Sequence, residues 1–399
     1  MHGHETLLTG SALLVIAAFV FVTACIRLRL PTLLGYMAAG LAIGPSGLGL
    51  VTNAETLGQI GEIGVVLLLF ALGLEFSFAR LKELRRLIFG AGLAQVLVTT
   101  ALVGGGALLA LGLPLAGSVL LGGAVAMSST ALCLRLLAGK GALGTPEGRA
   151  SIAVLLFQDL AAVAFILLHD ASFGSSLGEG LVQLGLGAAA LGCALLVSRI
   201  VLQPVAALVA NSDDPEPVQL MALALALGAA LGSIALGLSP ALGAFAAGMI
   251  ISESDARNVV EHEIRPFRDL FVGVFFISVG AQVHLNEIAA LYGPVLLWLG
   301  LIVLCKPVVT AIVLRLTGEP LGTAVRSAVI LGQAGEFGLV LLTLSMASGL
   351  IPHDLGSAVV LAIVLSMVIS VLAIQMLFPD GGDTRAAPAG SDAATEAQG

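Results

Sequence analysis

Residues 122–131 read GGAVAMSSTA, and that stretch decides how the chain folds. It lies inside an apolar span at 115–137, yet carries a glycine pair and three consecutive hydroxyl residues, Ser128, Ser129 and Thr130. Backbone that leaves the helix at membrane depth must be buried in protein or line a watery cavity. The span therefore reads as a helix broken half-way. About two hundred residues later, 332–338 read GQAGEFG inside the span 322–347, with Gly332, Gln333, Gly335 and Glu336 in the interruption. A glycine pair alone is as often a packing device. Two breaks at matching places in two halves point instead to an inverted-repeat transporter with its site near the midplane.

The rest of the composition fits that frame. Hydrophobic residues make up 58% of the 399 and charged residues 11%, with a mean hydropathy of +1.08. A chain this apolar is a polytopic membrane protein. At about 20 residues per crossing, it accommodates about thirteen spans. We place them at 6–26, 32–50, 57–77, 87–112, 115–137, 150–169, 179–209, 217–236, 239–252, 266–283, 290–316, 322–347 and 356–378. The membrane region is then 1–378, and the small, polar residues 379–399 are expected to be a disordered cytoplasmic tail. Arg27 and Arg29 follow the first apolar run instead of preceding it, so that run reads as an uncleaved span. Cys25, Cys133, Cys193 and Cys305 lie in or beside apolar spans without metal-site spacing and are expected to be buried free thiols.

Charge gives the topology. Of 17 lysines and arginines, all but Lys306 sit at the ends of odd-numbered spans. The positive-inside rule places those ends in the cytoplasm, the N-terminus outside and the C-terminus inside. His169, His284 and His353 fall at the opposite end, where external histidines can report pH; ordinary exposed helix ends explain them more simply. Two cytoplasmic stretches, 76–89 and 252–269, look amphipathic, as surface helices or as solvated linkers.

An ionisable group deep in a span requires a reason. Gln158 and Asp159 lie at the centre of span six and Lys306 in the middle of span eleven. The economical arrangement is Asp159 and Lys306 facing each other across the interior. Pairing favours both charges and burial opposes both, a balance that suits a proton that must load and leave near neutrality. Pro307 loosens the helix beside Lys306. The oxygens of Ser128, Ser129 and Thr130 are hard ligands for a small cation near Asp159. No nucleophile–base set, P-loop or nucleic-acid surface is visible, so an enzyme is not expected and no cofactor is implied.

These residues resemble the monovalent cation:proton antiporter-2 family, and most closely its Kef-type potassium–proton branch. The likeness runs through GYMAAGLAIGPSGLGL (35–50), GVVLLLFALGLEFS (64–77), SSTALCLRLL (128–137), FQDLAAV (157–163), SPALGAFAAGMIIS (239–252), FFISVGAQVHL (275–285) and GQAGEFGLVL (332–341). It implies an all-α fold of two inverted repeats with crossed, broken fifth and twelfth helices, a homodimer, Asp159 as the ion-binding acid and Lys306 as its charge partner. Gln158 before the acid implies potassium and electroneutral exchange. The abundance of Ala, Gly and Leu, with Arg over Lys, suggests a bacterial source and hence a bacterial inner membrane. Kef-type proteins often carry a nucleotide-binding domain after the last span; this chain ends about twenty residues past it, which leaves a separate cytoplasmic regulatory subunit as one option. Rival readings are a Na+/H+ antiporter, a sodium-coupled organic solute carrier, for which Glu75, Glu336 and Asp269 are the only further candidate acids, and a cation channel.

Overall fold

A computed structural model describes residues 2–28, 30–45, 47–49, 54–75, 84–172, 214–235, 240–254, 256–281 and 285–377. The expected span at 179–209, the tail at 379–399, His284, Arg199, Cys193 and residues 76–83 of the 76–89 stretch lie outside them. Every regular element among the described residues is a helix. In chain order the helices are α1 His2–Arg27, α2 Thr32–Ile43, α3 Ala54–Glu75, α4 Leu93–Ala110, α5 Leu115–Ala126, α6 Thr130–Gly139, α7 Pro146–Ser172 and α8 Pro215–Ala235. They continue as α9 Pro240–Ser252, α10 Arg257–Ala281, α11 Leu285–Gly300, α12 Lys306–Leu316, α13 Leu321–Ile330, α14 Glu336–Ala347 and α15 His353–Leu377.

Proline sets many of the starts. Pro146, Pro215 and Pro240 are the first residues of α7, α8 and α9, where the missing N–H is no loss. Pro31, Pro114 and Pro320 stand immediately before α2, α5 and α13. Six described segments are long and apolar enough to cross a bilayer alone, Pro146–Asp170 and His353–Leu377 among them. On the outer face of the segment 285–316, Leu297, Leu304, Val308 and Ile312 are exposed, as lipid contact requires.

Both expected interruptions are present. Span five is α5 and α6 separated by Met127–Ser129, and span twelve is α13 and α14 separated by 331–335. Spans four and eleven carry a further irregularity, a π-helical turn at Leu87–Gly92 and at Leu301–Cys305. The second lies just before Lys306-Pro307, where the proline lacks a donor and crowds the preceding turn. The order π turn, broken helix, long helix thus occurs twice: first through α4 to α7, then through α11 to α15.

Two expectations are corrected. The 252–269 stretch is neither a linker nor a separate surface helix, because α10 begins at Arg257 and runs through Pro266 to Ala281. Val260 and Ile264 are buried in a cluster with Val218, Ala222, Leu67 and Phe70, and that packing extends the helix beyond its apolar half. Cys25 and Cys133 are buried, but Cys305 is exposed on the outer face of its π turn.

The helices form two groups. In one, α3 packs on α9 and α10, α10 on α2, and α8 on α9. In the other, α5 packs on α4 and α14, and α7 on α13 and α14. The functional residues lie where the second group faces the first.

Candidate functional site

The site is assembled by the need to satisfy backbone groups released at the two breaks. Met127 and Ser129 are extended (φ/ψ −69°/141° and −75°/109°), so the local i→i−4 ladder cannot serve the segment as it serves a helix. Partners come from other elements. The Ser128 N–H donates to Gln158 Oε1 at 2.8 Å, and Ser128 Oγ donates to the Leu331 carbonyl at 2.9 Å. Ser129 Oγ caps α6 by accepting from the Leu132 N–H at 3.2 Å. In the second break the Ala334 N–H donates to Ser366 Oγ at 3.2 Å. Cys133 Sγ donates to the Ile330 carbonyl and accepts from Gln333 Nε2. The breaks touch: a Cβ on Gly335 would come within 2.5 Å of the Ser128 carbonyl carbon. A Cβ on Gly332 would meet Pro307 at 3.0 Å.

Lys306 closes the crossing. Its Nζ donates to the Met127 carbonyl at 2.7 Å and to the Gln333 carbonyl at 2.6 Å, and the residue is 1% exposed. The expected face-to-face pair with Asp159 is absent among the described residues. The reason is electrostatic. Met127 follows the C-terminus of α5 and Gln333 follows that of α13, both negative dipole ends, so the ammonium finds two concentrated acceptors without a carboxylate.

The acids take the opposite ends. Asp159, at 4% exposure, accepts from Thr130 Oγ1 at 3.0 and 3.2 Å through its two oxygens, and Thr130 opens α6. Glu336 is the first residue of α14, near the Ser129 hydroxyl and the Ala131 amide at the start of α6. Both carboxylates thus sit at positive helix N-termini. Together with Glu75 at the end of α3 they line a cavity of about 850 Å³ between the two helix groups. The cavity reaches Lys140, Arg268 and Asp269 at the end of the bundle where the fixed cations gather. There Arg268 Nε and Nη2 donate to Asp269 Oδ1 at 2.9 and 2.7 Å.

Of the expected ion-binding residues, the structure brings Asp159, Thr130 and Ser129 to the cavity. Gln158 and Ser128 are turned to other tasks. The Gln158 amide is used at both ends, by Ser128 and by Gln95 Oε1, to which Nε2 donates at 2.8 Å. The donors that face the cavity are carboxylate and hydroxyl oxygens, suited to alkali cations and protons rather than to transition metals. Sequence reasoning missed Gln95 and Ser366; Gln95, an amide amid apolar neighbours in span four, is the signal that the reasoning applied to Gln158 would have caught. His169, expected at the external end, is buried, with Nε2 3.1 Å from both the Leu344 carbonyl and Ser348 Oγ.

Comparison with known proteins agrees with this fold. The family model described as "Sodium/hydrogen exchanger, transmembrane" matches residues 13–379. The chain belongs to the sodium/hydrogen exchanger family. That family is one of multi-pass membrane transporters and not of enzymes. Among curated relatives, the chloroplastic K(+) efflux antiporter 1 of Arabidopsis thaliana is 34% identical over 347 residues, which cover 84% of this chain. The chain spans only 29% of that relative's length. Among solved structures, the sodium proton antiporter MjNhaP1 of Methanocaldococcus jannaschii at pH 8 superposes with a TM-score of 0.70 at 18% identity, over 94% of this chain and 100% of that one. A second structure of MjNhaP1, from electron microscopy, gives 0.66 at 17% identity over 96% and 100%. The exchanger shares their antiporter fold.

Proposed function

We propose that this exchanger trades a monovalent cation, K+ in preference to Na+, for H+, with Asp159 binding one or the other in turn. The observation that carries the reading is Asp159 itself. It is a buried carboxylate with one hydroxyl donor, Thr130, and no ammonium among the described residues, facing a cavity that leads to one side of the bundle. A cation or a proton neutralises it. Empty and charged, the site is held back, because carrying a bare carboxylate through apolar surroundings is costly. That restriction makes the exchange obligatory.

Lys306 acts as the charge partner through the crossover instead of by contact. Its ammonium balances the carbonyl ends of α5 and α13, which leaves the positive ends of α6 and α14 free to face Asp159 and Glu336. The preference for K+ is supported by Gln158 before the acid and by the likeness to the K(+) efflux antiporter. With the cation-rich end of the bundle in the cytoplasm, the conformation is inward-open. A bacterial inner membrane, a homodimer and a membrane domain spanning 1–378 complete the proposal. The test is exchange in proteoliposomes with an internal pH dye. A K+ gradient should drive proton movement at lower concentration than a Na+ gradient. A better response to Na+ would transfer the reading to Na+/H+ exchange; current at single-channel rates, above about 10⁶ ions per second, would replace it with a channel.

A further inference from the structure

The two repeats solve the same backbone problem with different side chains, and Gln95 carries the difference. In the second repeat a π turn, Leu301–Cys305, is followed at once by Lys306, whose Nζ donates to the Gln333 carbonyl of the break. The amide N–H of that break, at Ala334, is accepted by Ser366 from the following long helix, α15. In the first repeat a π turn, Leu87–Gly92, is followed three residues later by Gln95. Gln95 Nε2 donates to the Ala126 carbonyl at the mouth of the break at 3.3 Å. The amide N–H of that break, at Ser128, is accepted by Gln158 from the following long helix, α7. Gln95 thus stands where Lys306 stands in the other half, and Gln158 where Ser366 stands.

The first half has a further connection. Gln158 Nε2 donates to Gln95 Oε1 at 2.8 Å, so the helix that carries Asp159 is tied to α4 through a continuous chain of amides. Thr99 Oγ1 accepts from Gln95 Nε2 at 3.2 Å and completes it. Gln95 is fully buried. The chain ends two residues before Thr130, the hydroxyl that holds Asp159.

We propose that Gln95 is a positioning residue for cation exchange: through Gln158 it fixes the 127–130 segment and thereby the Thr130 hydroxyl on Asp159. A neutral amide does here what the ammonium does in the other repeat, so the first half holds its break without placing a second positive charge near the carboxylate. Gln158 is on this reading a strut of the site and not a cation ligand. The proposal rests on Asp159 being the transport carboxylate.

The test uses Gln95→Leu, Gln95→Met, Gln158→Leu and the double variant Gln95→Leu/Gln158→Leu, each read in two ways. Hydrogen exchange of the purified protein should rise at 127–130 in both Gln95 variants and stay at the wild-type level at 331–335. In proteoliposomes their KM for K+ should rise about fivefold to tenfold, the size of a lost buried hydrogen bond, while Vmax changes by less than about twofold. The double variant should have the KM of Gln158→Leu alone, because one chain cannot be cut twice. Wild-type hydrogen exchange at 127–130 in the Gln95 variants would overturn the proposal even if no variant transports. So would an unchanged KM beside faster hydrogen exchange, or KM effects that multiply in the double variant. Failure of the wild-type protein to exchange at all would instead refute the transport reading, with the hydrogen-exchange result still standing for the strut.

Discussion

Lys306 and Asp159 are the two costly residues of this membrane protein, and each is accommodated by peptide groups as much as by side chains. The ammonium rests on the carbonyls of Met127 and Gln333, and the carboxylate lies where helices begin. A sequence displays both charges but not the carbonyls that two broken helices leave behind, so their direct pairing is the natural expectation and the geometry replaces it. Lys306→Met would leave two buried acceptors unpaired. At about 1–3 kcal/mol for each orphaned group, the variant should lose roughly 2–6 kcal/mol of stability. A melting temperature in detergent equal to wild type would contradict the placement. Thr130→Val removes the one hydroxyl on Asp159. Hydrogen bonds to charged groups contribute about 1.5 kcal/mol or more, so the cation concentration for half-maximal exchange should rise about tenfold, with the protein still folded by gel filtration.

At the scale of elements, the breaks hold the site together only if they pass very close to each other. Gly335 permits this, since a methyl there would lie 2.5 Å from the Ser128 carbonyl carbon. Gly335→Ala should separate the crossing and abolish exchange, whereas Gly228→Ala on α8, where nothing lies within 4 Å, should leave it unchanged. Equal activity of the two variants would mean that the crossing is not essential. The breaks were legible because glycines and hydroxyls clustered inside an apolar span weaken its helix and put polar groups at a depth where they must be used. Helix ends were legible because proline and arginine mark them. The early start of α10 was not, because the polar residues of its first turns look like a connector until Val260 and Ile264 are seen packed on α8 and α3. The identity of partners within the crossing was not legible either: Gln158 has the right depth for a ligand, and only its contacts with Ser128 and Gln95 show that its amide is already used.

For the whole molecule, the arrangement that matters is two groups of helices with a cavity between them, open toward the cation-rich end. If that end is cytoplasmic, a thiol placed at Leu136 or Gln375, both on the cavity wall, should react with a membrane-impermeant maleimide only from inside. A thiol at Asp354, exposed at the start of α15, should react only from outside. The background must lack the native cysteines, Cys305 in particular, which is exposed. Labelling of all three positions from one side would refute the topology.

The central claim is that a single carboxylate alternates between a metal ion and a proton. Asp159→Asn keeps its volume and one acceptor but can be neither charged nor protonated at neutral pH. In proteoliposomes carrying a K+ gradient and a pH dye, wild-type protein should move protons as K+ is added, and the Asp159→Asn protein should give no signal above empty vesicles from about pH 6 to about pH 9. Cation-dependent proton movement by that variant at anything near the wild-type rate would contradict the account.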